Sequence, residues 1–265
     1  MAETQMNVTL LGHTKLTGSF ISENDLMEDY INEKFTDSHA VALTAIRTCY
    51  SPLKPSEIVA TEGEKYFGNA ATDGEGGTEA DRLFRHITRS GHTSTLEHLS
   101  YTFAIEGVSR ALLAQLTRHR VGFSFSVQSQ RYVRLGSNDK SGGFDYVMPP
   151  SIASCEKEVE FYTLGWEPET EGTASLVFNE AMEAAQIFYD KLREAGVPAE
   201  DARMVLPNAA ATNLTMTTNL TALLGFYKKR KPGRGAQWEI AQLAEALKDA
   251  VVAVDPWTKA YFDAV

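Results

Sequence analysis

Between Leu99 and Arg120 the spacing of apolar side chains changes from two residues to about 3.6 with no proline in between. In LSYTFAIEG, Leu99, Tyr101, Phe103 and Ile105 alternate as on a half-buried strand. In VSRALLAQLTRHR, Val108, Leu112 and Leu116, with Leu113, form the stripe of an amphipathic helix, and Arg110, Thr117 and Arg118 fall together on another face. Gln115 and His119 are neighbours one turn apart in that helix. A chain that passes from strand to helix at its centre is of a mixed class, in which helices here dominate over a few strands.

The flanking segments fill in that class. MNVTLLGHTKL alternates as a strand, and residues 38 to 50 read as a helix ending near Tyr50. A polar, Gly-rich loop spans roughly Ser51 to Gly77 and holds no GxxxxGK, which excludes a phosphate-cradling P-loop. Thr78 and Asp81 form a capping box that opens the helix EADRLFRHITRS, with Gly91 as its stop. GHTSTLEH reads as a polar turn. Residues 136 to 172 are polar, acidic and turn-rich, and read as a surface insertion with one strand at FDYVMPP. A long amphipathic helix runs from Ala174 to Gly196, followed by a short helix AEDARMVLP and a polar stretch NAAATNLTMTT. A helix capped by Asn219 and a final helix from Ala236 to Val254 close the chain. No composition break or repeat divides the 265 residues, so residues 1 to 265 are expected to form a single domain with a variable insertion at about 136 to 172.

Charge narrows the function. The net charge of −10 argues, taken alone, against nucleic acid or anionic membrane as a partner. Its distribution says more. Val108 to Asn138 is free of acids and holds Arg110, Arg118, Arg120, Arg131 and Arg134. A second acid-free window, Ala202 to Trp238, holds Arg203, Lys228, Lys229, Arg230, Lys231 and Arg234. All 35 acids therefore face only 14 of the 25 cations elsewhere, and two basic islands sit in an acidic protein. Every cation of the first island is arginine, whose planar fork pairs with phosphate or carboxylate, so the islands point to a small anionic ligand. No apolar run is long enough for a membrane span, and MAETQMNVTL lacks a signal-peptide pattern. With two cysteines, Cys49 and Cys155, the expectation is a cytoplasmic protein with free thiols.

One string carries a resemblance. RHRVGFSFSVQSQRY, from Arg118, resembles the signature of the flavin-dependent thymidylate synthases, an RHR triplet followed by a serine. GHTSTLEH, SRALLAQLTRHR, ARMVLPNAAAT and AQWEI resemble four more blocks of that family in its order, together covering roughly residues 42 to 50, 79 to 150 and 174 to 258. The resemblance implies the α+β class, a single domain with a small, mainly antiparallel sheet packed by long helices. It implies a methyltransferase that converts dUMP to dTMP with methylene-tetrahydrofolate as carbon donor, FAD as hydride carrier and NADPH as reductant. It also implies a homotetramer with active sites between subunits. By position, Arg118, His119 and Arg120 with His92, Ser94 and Asn219 hold FAD. Arg110, Gln115, Arg118, Ser129, Gln130, Arg131 and Arg203 surround dUMP, and Arg230 polarises the uracil as the catalytic residue.

This chain departs from the pattern in places. The spacing to Ser129 is the longer form, so the acidic or amide position before it falls at Val127, with Gln128 as the replacement toward FAD. Thr221 stands where the family often has a second flavin-binding arginine, and Gly225 where it has a polar residue. The loop RKPGRG is one residue longer than usual, which leaves Lys231 and Arg234 as alternatives to Arg230.

Other readings of the same residues are weaker. Ser129 has no adjacent base to make it a nucleophile. Acids beside Cys155 disfavour its thiolate, and Cys49 suits a buried place lining the flavin site. His92, His98 and His119 lack the cysteine partners of a zinc site, and no metal is expected. Phe123 and Phe125 fit core packing better than stacking on a base; with the arginine island they support the alternative of a non-catalytic single-stranded nucleic-acid-binding module. A degenerate family member that binds FAD and nucleotide only is the other alternative.

Overall fold

The computed structural model describes residues 1–161 and 170–265. In chain order its elements are β1 (Asn7–His13), α1 (Gly18–Glu23), α2 (Met27–Ile31), α3 (Asp37–Arg47), α4 (Ile58–Phe67), α5 (Glu79–Arg89), β2 (Ser100–Ser109), α6 (Arg110–Leu116) and β3 (Phe123–Val127). There follow α7 (Pro150–Ala153), β4 (Glu158–Phe161), β5 (Thr170–Thr173), α8 (Ala174–Glu194), α9 (Ala199–Ala202), β6 (Ala211–Asn219), α10 (Leu220–Arg230), α11 (Trp238–Val254) and α12 (Lys259–Ala264). This is the expected α+β class: one four-stranded sheet in the order β1-β2-β6-β3 and an antiparallel hairpin of β4 and β5 in register from Glu158 opposite Thr173. By contacts the chain forms two compact units, the first of Met1–Asn7, Ile105–Arg118 and Ser126–Thr215, the second of Val8–Ala104, His119–Phe125 and Met216–Val265.

The first unit holds the central strand-to-helix passage. The strand continues through Val108 to Ser109, so the helix starts later than its apolar stripe suggests. The reason is local: Ser109 is extended and its hydroxyl accepts from Leu112 N, so it caps α6 at Arg110. The helix also ends early. Thr117 closes it, its hydroxyl donating to Leu113 O at 3.0 Å, which leaves Arg118 and His119 outside the helix. Arg110 and Arg118 therefore do not share one helical face.

The insertion reading also changes. Phe144 is buried with Met182 of α8 and Ala210, and Val147 is buried nearby in sequence. Gln186 of α8 clamps this loop: its Oε1 accepts from Phe144 N and its Nε2 donates to Leu135 O, both at 2.9 Å. Part of the 136 to 172 segment is thus core. FDYVMPP is no strand; Tyr146 makes only isolated bridges to Glu3 and Ala210. NAAATNLTMTT contains β6, in which Thr212, Leu214, Met216 and Thr218 are buried in alternation. Threonines on both faces hide that alternation from a hydropathy reading.

In the second unit, Ser51 to Gly77 contains α4, which buries Ile58, Val59, Tyr66 and Phe67. The Thr78–Asp81 capping box is present in both directions, Thr78 N donating to Asp81 Oδ2 at 2.7 Å and Asp81 N to Thr78 Oγ1 at 3.4 Å. Gly91 follows α5 at φ 81°, a conformation glycine adopts without strain. Leu43, Ile46, Phe84, Leu99, Tyr101, Phe103, Phe226 and Phe262 are fully or almost fully buried. At the base of this core the buried Asp255 accepts from Tyr101 Oη at 2.8 Å, from Thr36 Oγ1 at 3.1 Å and from Ser38. No helix of the described residues is long and apolar enough to cross a membrane.

Candidate active site

In the first unit the start of α6 is fixed to a distant stretch of chain. Arg110 N donates to Ala210 O and Ala111 N to Asn208 O, at 3.0 and 3.1 Å. The short turn Arg203–Val205 follows α9, where Arg203 Nε donates to Glu200 O at 2.9 Å. Arg110 and Arg203 are close enough to repel one another. Burial, and then the Arg203 charge, push the Arg110 guanidinium below the usual arginine range. Among the described residues no carboxylate forms an ion pair with Arg110 or Arg203, so none of them offsets this repulsion by pairing. Such a pair is stable beside an anion.

The segment after β3 lies in the same unit. Ser129 begins a tight turn in which its carbonyl accepts from Tyr132 N and Val133 N, and its hydroxyl accepts from Arg131 N at 3.2 Å. Gln130 is 9% exposed, and its buried Nε2 lacks any hydrogen-bond partner among the described residues. A buried amide donor left open in this way suits a ligand acceptor. Arg131 is exposed and paired with Glu200 at 2.9 Å. Gln115 is half-buried on α6 and Arg118 is exposed just beyond it. Gln128 Oε1 accepts from Asn213 Nδ2 at 3.1 Å, while Asn213 Oδ1 accepts from Gly107 N at 2.9 Å.

Of the residues expected at a flavin, His92, Ser94, His119, Arg120 and Asn219 lie in the second unit, and Arg118 and Gln128 in the first. His119 Nε2 accepts from Arg230 Nε at 3.2 Å, which leaves the imidazole proton on Nδ1. Its ring meets Phe226 edge-on at 5.0 Å and lies 6.1 Å from Phe123. Phe123 and Phe125 stack on each other at 5.9 Å and 8°, so these rings serve packing. Asn219 caps α10, its Oδ1 accepting from Ala222 N at 2.8 Å. Gly122, at φ 75°, lies against that cap: a Cβ there would come within 2.5 Å of Ala222 Cβ and 3.0 Å of Asn219 Nδ2. His92 and Ser94 are exposed at the turn before β2, and Arg120 is exposed after His119. Lys231 is occupied by the Val265 carbonyl and the Tyr227 ring, and Arg234 is exposed.

Residues 31–257 match the family model described as thymidylate synthase complementing protein. The chain belongs to this family. Among its relatives, the flavin-dependent thymidylate synthase of Geobacter sulfurreducens is 38% identical over 220 residues, 83% of this chain and 80% of that one. That of Clostridium tetani is 34% identical over 232 residues, 82% of this chain and 78% of that one. Among solved structures, the UMP/dUMP methylase PolB from Streptomyces cacaoi, bound with 5-Br dUMP, aligns with a TM-score of 0.65 and 24% identity over 99% of this chain and 97% of that one. This last likeness is one of fold.

The family's span includes every site residue named above. It also includes partners that the sequence reading did not single out. Tyr50 Oη lies 3.2 Å from His92 Nδ1, Thr221 binds the turn at Thr93, and Glu200 pairs with Arg131. Only Thr221 had a sequence signal, as a departure from the family's arginine. Cys49, expected to be buried, is exposed, because α3 ends at Arg47 before the chain can carry it inward.

Proposed function

We propose that this chain is a methyltransferase converting dUMP to dTMP, a flavin-dependent thymidylate synthase, with residues 1 to 265 forming one such domain. The observation that carries this reading is the buried Nε2 of Gln130, which has no hydrogen-bond partner among the described residues, in the unit where Arg203 repels Arg110. A nucleotide monophosphate brings close to two negative charges, and each charge-assisted hydrogen bond to it contributes about 1.5–3 kcal/mol. Ser129, Gln130 and Arg131 supply further donors from the same unit, with Gln115 and Arg118. The unpartnered Nε2 of Gln130 is suited to an oxygen of the nucleotide.

The second unit fits a flavin by its donor set. His92, Ser94, Arg120 and Asn219 offer side-chain donors, and Gly122 lets the backbone approach Ala222 and Asn219 Nδ2 more closely than any Cβ would allow. Arg118, His119, Arg120, His92, Ser94 and Asn219 would hold FAD; Gln128, already bonded to Asn213, keeps its amide group as a donor. FAD, when bound, supplies the hydride that completes the methyl group, with methylene-tetrahydrofolate as carbon donor and NADPH as reductant. Arg230 is held by His119 through Nε, and its other guanidinium nitrogens would face uracil O4 and N3. A fixed positive charge there favours loss of the N3 proton and moves electron density toward C5, with no protein nucleophile required. Lys231 is less suited to this role, being tied to Val265. We place the enzyme in the cytoplasm as a homotetramer whose sites lie between subunits.

The test is direct. Purified protein is expected to be yellow and, given dUMP, methylene-tetrahydrofolate and NADPH, to form dTMP. A colourless protein that takes up no FAD overturns the reading. One that binds FAD and dUMP but makes no dTMP is the degenerate family member that Thr221 and Gly225 leave open.

A further inference from the structure

The flavin reading of the second unit assigns His92 and Ser94 but not what holds them in place. They flank Thr93 at the start of the short 3-10 segment Thr93–His98. The first residues of α10 grip this turn. Leu220 N donates to Leu99 O at 2.9 Å, and Thr221 Oγ1 donates to Thr93 O at 2.6 Å across 128 residues of chain. The second bond is short for a hydroxyl–carbonyl pair, and Thr221 is half-buried, with only a few side-chain conformations open to a β-branched residue. The turn is gripped on its other side as well. Tyr50 Oη lies 3.2 Å from His92 Nδ1, and Thr95 Oγ1 donates to His92 O at 3.1 Å.

We propose that Thr221 is a positioning residue for the flavin, acting through the Thr93 carbonyl to fix the backbone between His92 and Ser94, while Tyr50 fixes the ring of His92. The proposal rests on the flavin reading of this turn. The resemblance often places a flavin-binding arginine at position 221; here a short hydroxyl stands there, and its bond goes to the backbone between His92 and Ser94. Ordering the turn before the flavin arrives reduces the entropy lost on binding, so affinity is retained without a direct bond.

The experiment is an equilibrium titration of flavin-free protein with FAD, read by quenching of flavin fluorescence, beside a dUMP titration and amide hydrogen exchange at residues 92 to 95. For Thr221→Val the FAD Kd is expected to rise about fivefold, the loss of one ordering hydrogen bond, with dUMP affinity unchanged and faster exchange in the turn. Thr221→Ser restores the hydroxyl and most of the affinity, and Tyr50→Phe weakens FAD without accelerating exchange at Thr93. Equal FAD affinity in wild type and Thr221→Val overturns the role, as does a Thr221→Ser variant as weak as Thr221→Val. A wild-type protein that takes up no FAD at all overturns the flavin reading itself, so the two failures are distinct.

Discussion

Replacing Arg110 by methionine tests the nucleotide site in two directions at once. The side chain keeps a flexible, unbranched stem and loses its charge. In the proposed nucleotide complex, Arg110→Met is expected to remove one charge-assisted contact to phosphate, about 1.5–3 kcal/mol, which is roughly a ten- to hundred-and-fifty-fold rise in the dUMP Kd. In the free protein the same change removes a partly buried cation that Arg203 repels and that has no paired carboxylate, so folding stability is expected to hold or to increase. Calorimetric titration with dUMP and thermal unfolding without it measure the two quantities on one preparation. An arginine placed for the fold alone gives the opposite result: lower stability with dUMP affinity unchanged. Either half of that result refutes the reasoning.

Three further outcomes follow from the geometry. Arg230→Ala is expected to keep its flavin, seen by absorbance, while turnover falls about a hundredfold or more; near-normal turnover moves the activating role to Lys231 or Arg234. Gly122→Ala forces a left-handed residue with a Cβ 2.5 Å from Ala222 Cβ, so urea unfolding is expected to show a loss of about 1–3 kcal/mol or more, with weaker FAD uptake, and a variant as stable as wild type contradicts the close approach. Glu62 is held below its ordinary value of 4.5, first by the Arg47 guanidinium at 2.5 Å and also by the Ser51 hydroxyl. Its contribution to stability is full above pH 4.5 and is lost as pH falls through the depressed value, so the acid limb of the stability curve should be flatter in Glu62→Gln, and an unchanged limb dismisses the pair as a source of acid sensitivity.

Much of the fold was legible because its signals are short-range. The Thr78–Asp81 box, the Asn219 cap and the alternation of Leu99, Tyr101, Phe103 and Ile105 each depend on residues within a few positions, and each is present in the structure. The misreadings occurred where one local signal competed with another. Val108 fits a helical stripe but is strand, because Ser109 supplies the cap; the threonines of β6 look like a loop but face alternately inward; Ile58 to Phe67 is helix despite its polar, Gly-rich flanks.

By itself the sequence determined which kinds of side chain the protein has for its chemistry: acid-free arginine windows, the RHR and SQRY strings, and the ordered blocks that mark its family. Tertiary structure decided which of them meet. His119 receives Arg230 and Thr221 reaches Thr93 only because strand, turn and helix bring distant segments within hydrogen-bonding range, and Arg203 comes near enough to Arg110 to repel it. Spacing along a chain governs contacts within a turn or two of backbone, whereas a charge or hydroxyl acts over a few ångströms of space whatever the sequence separation.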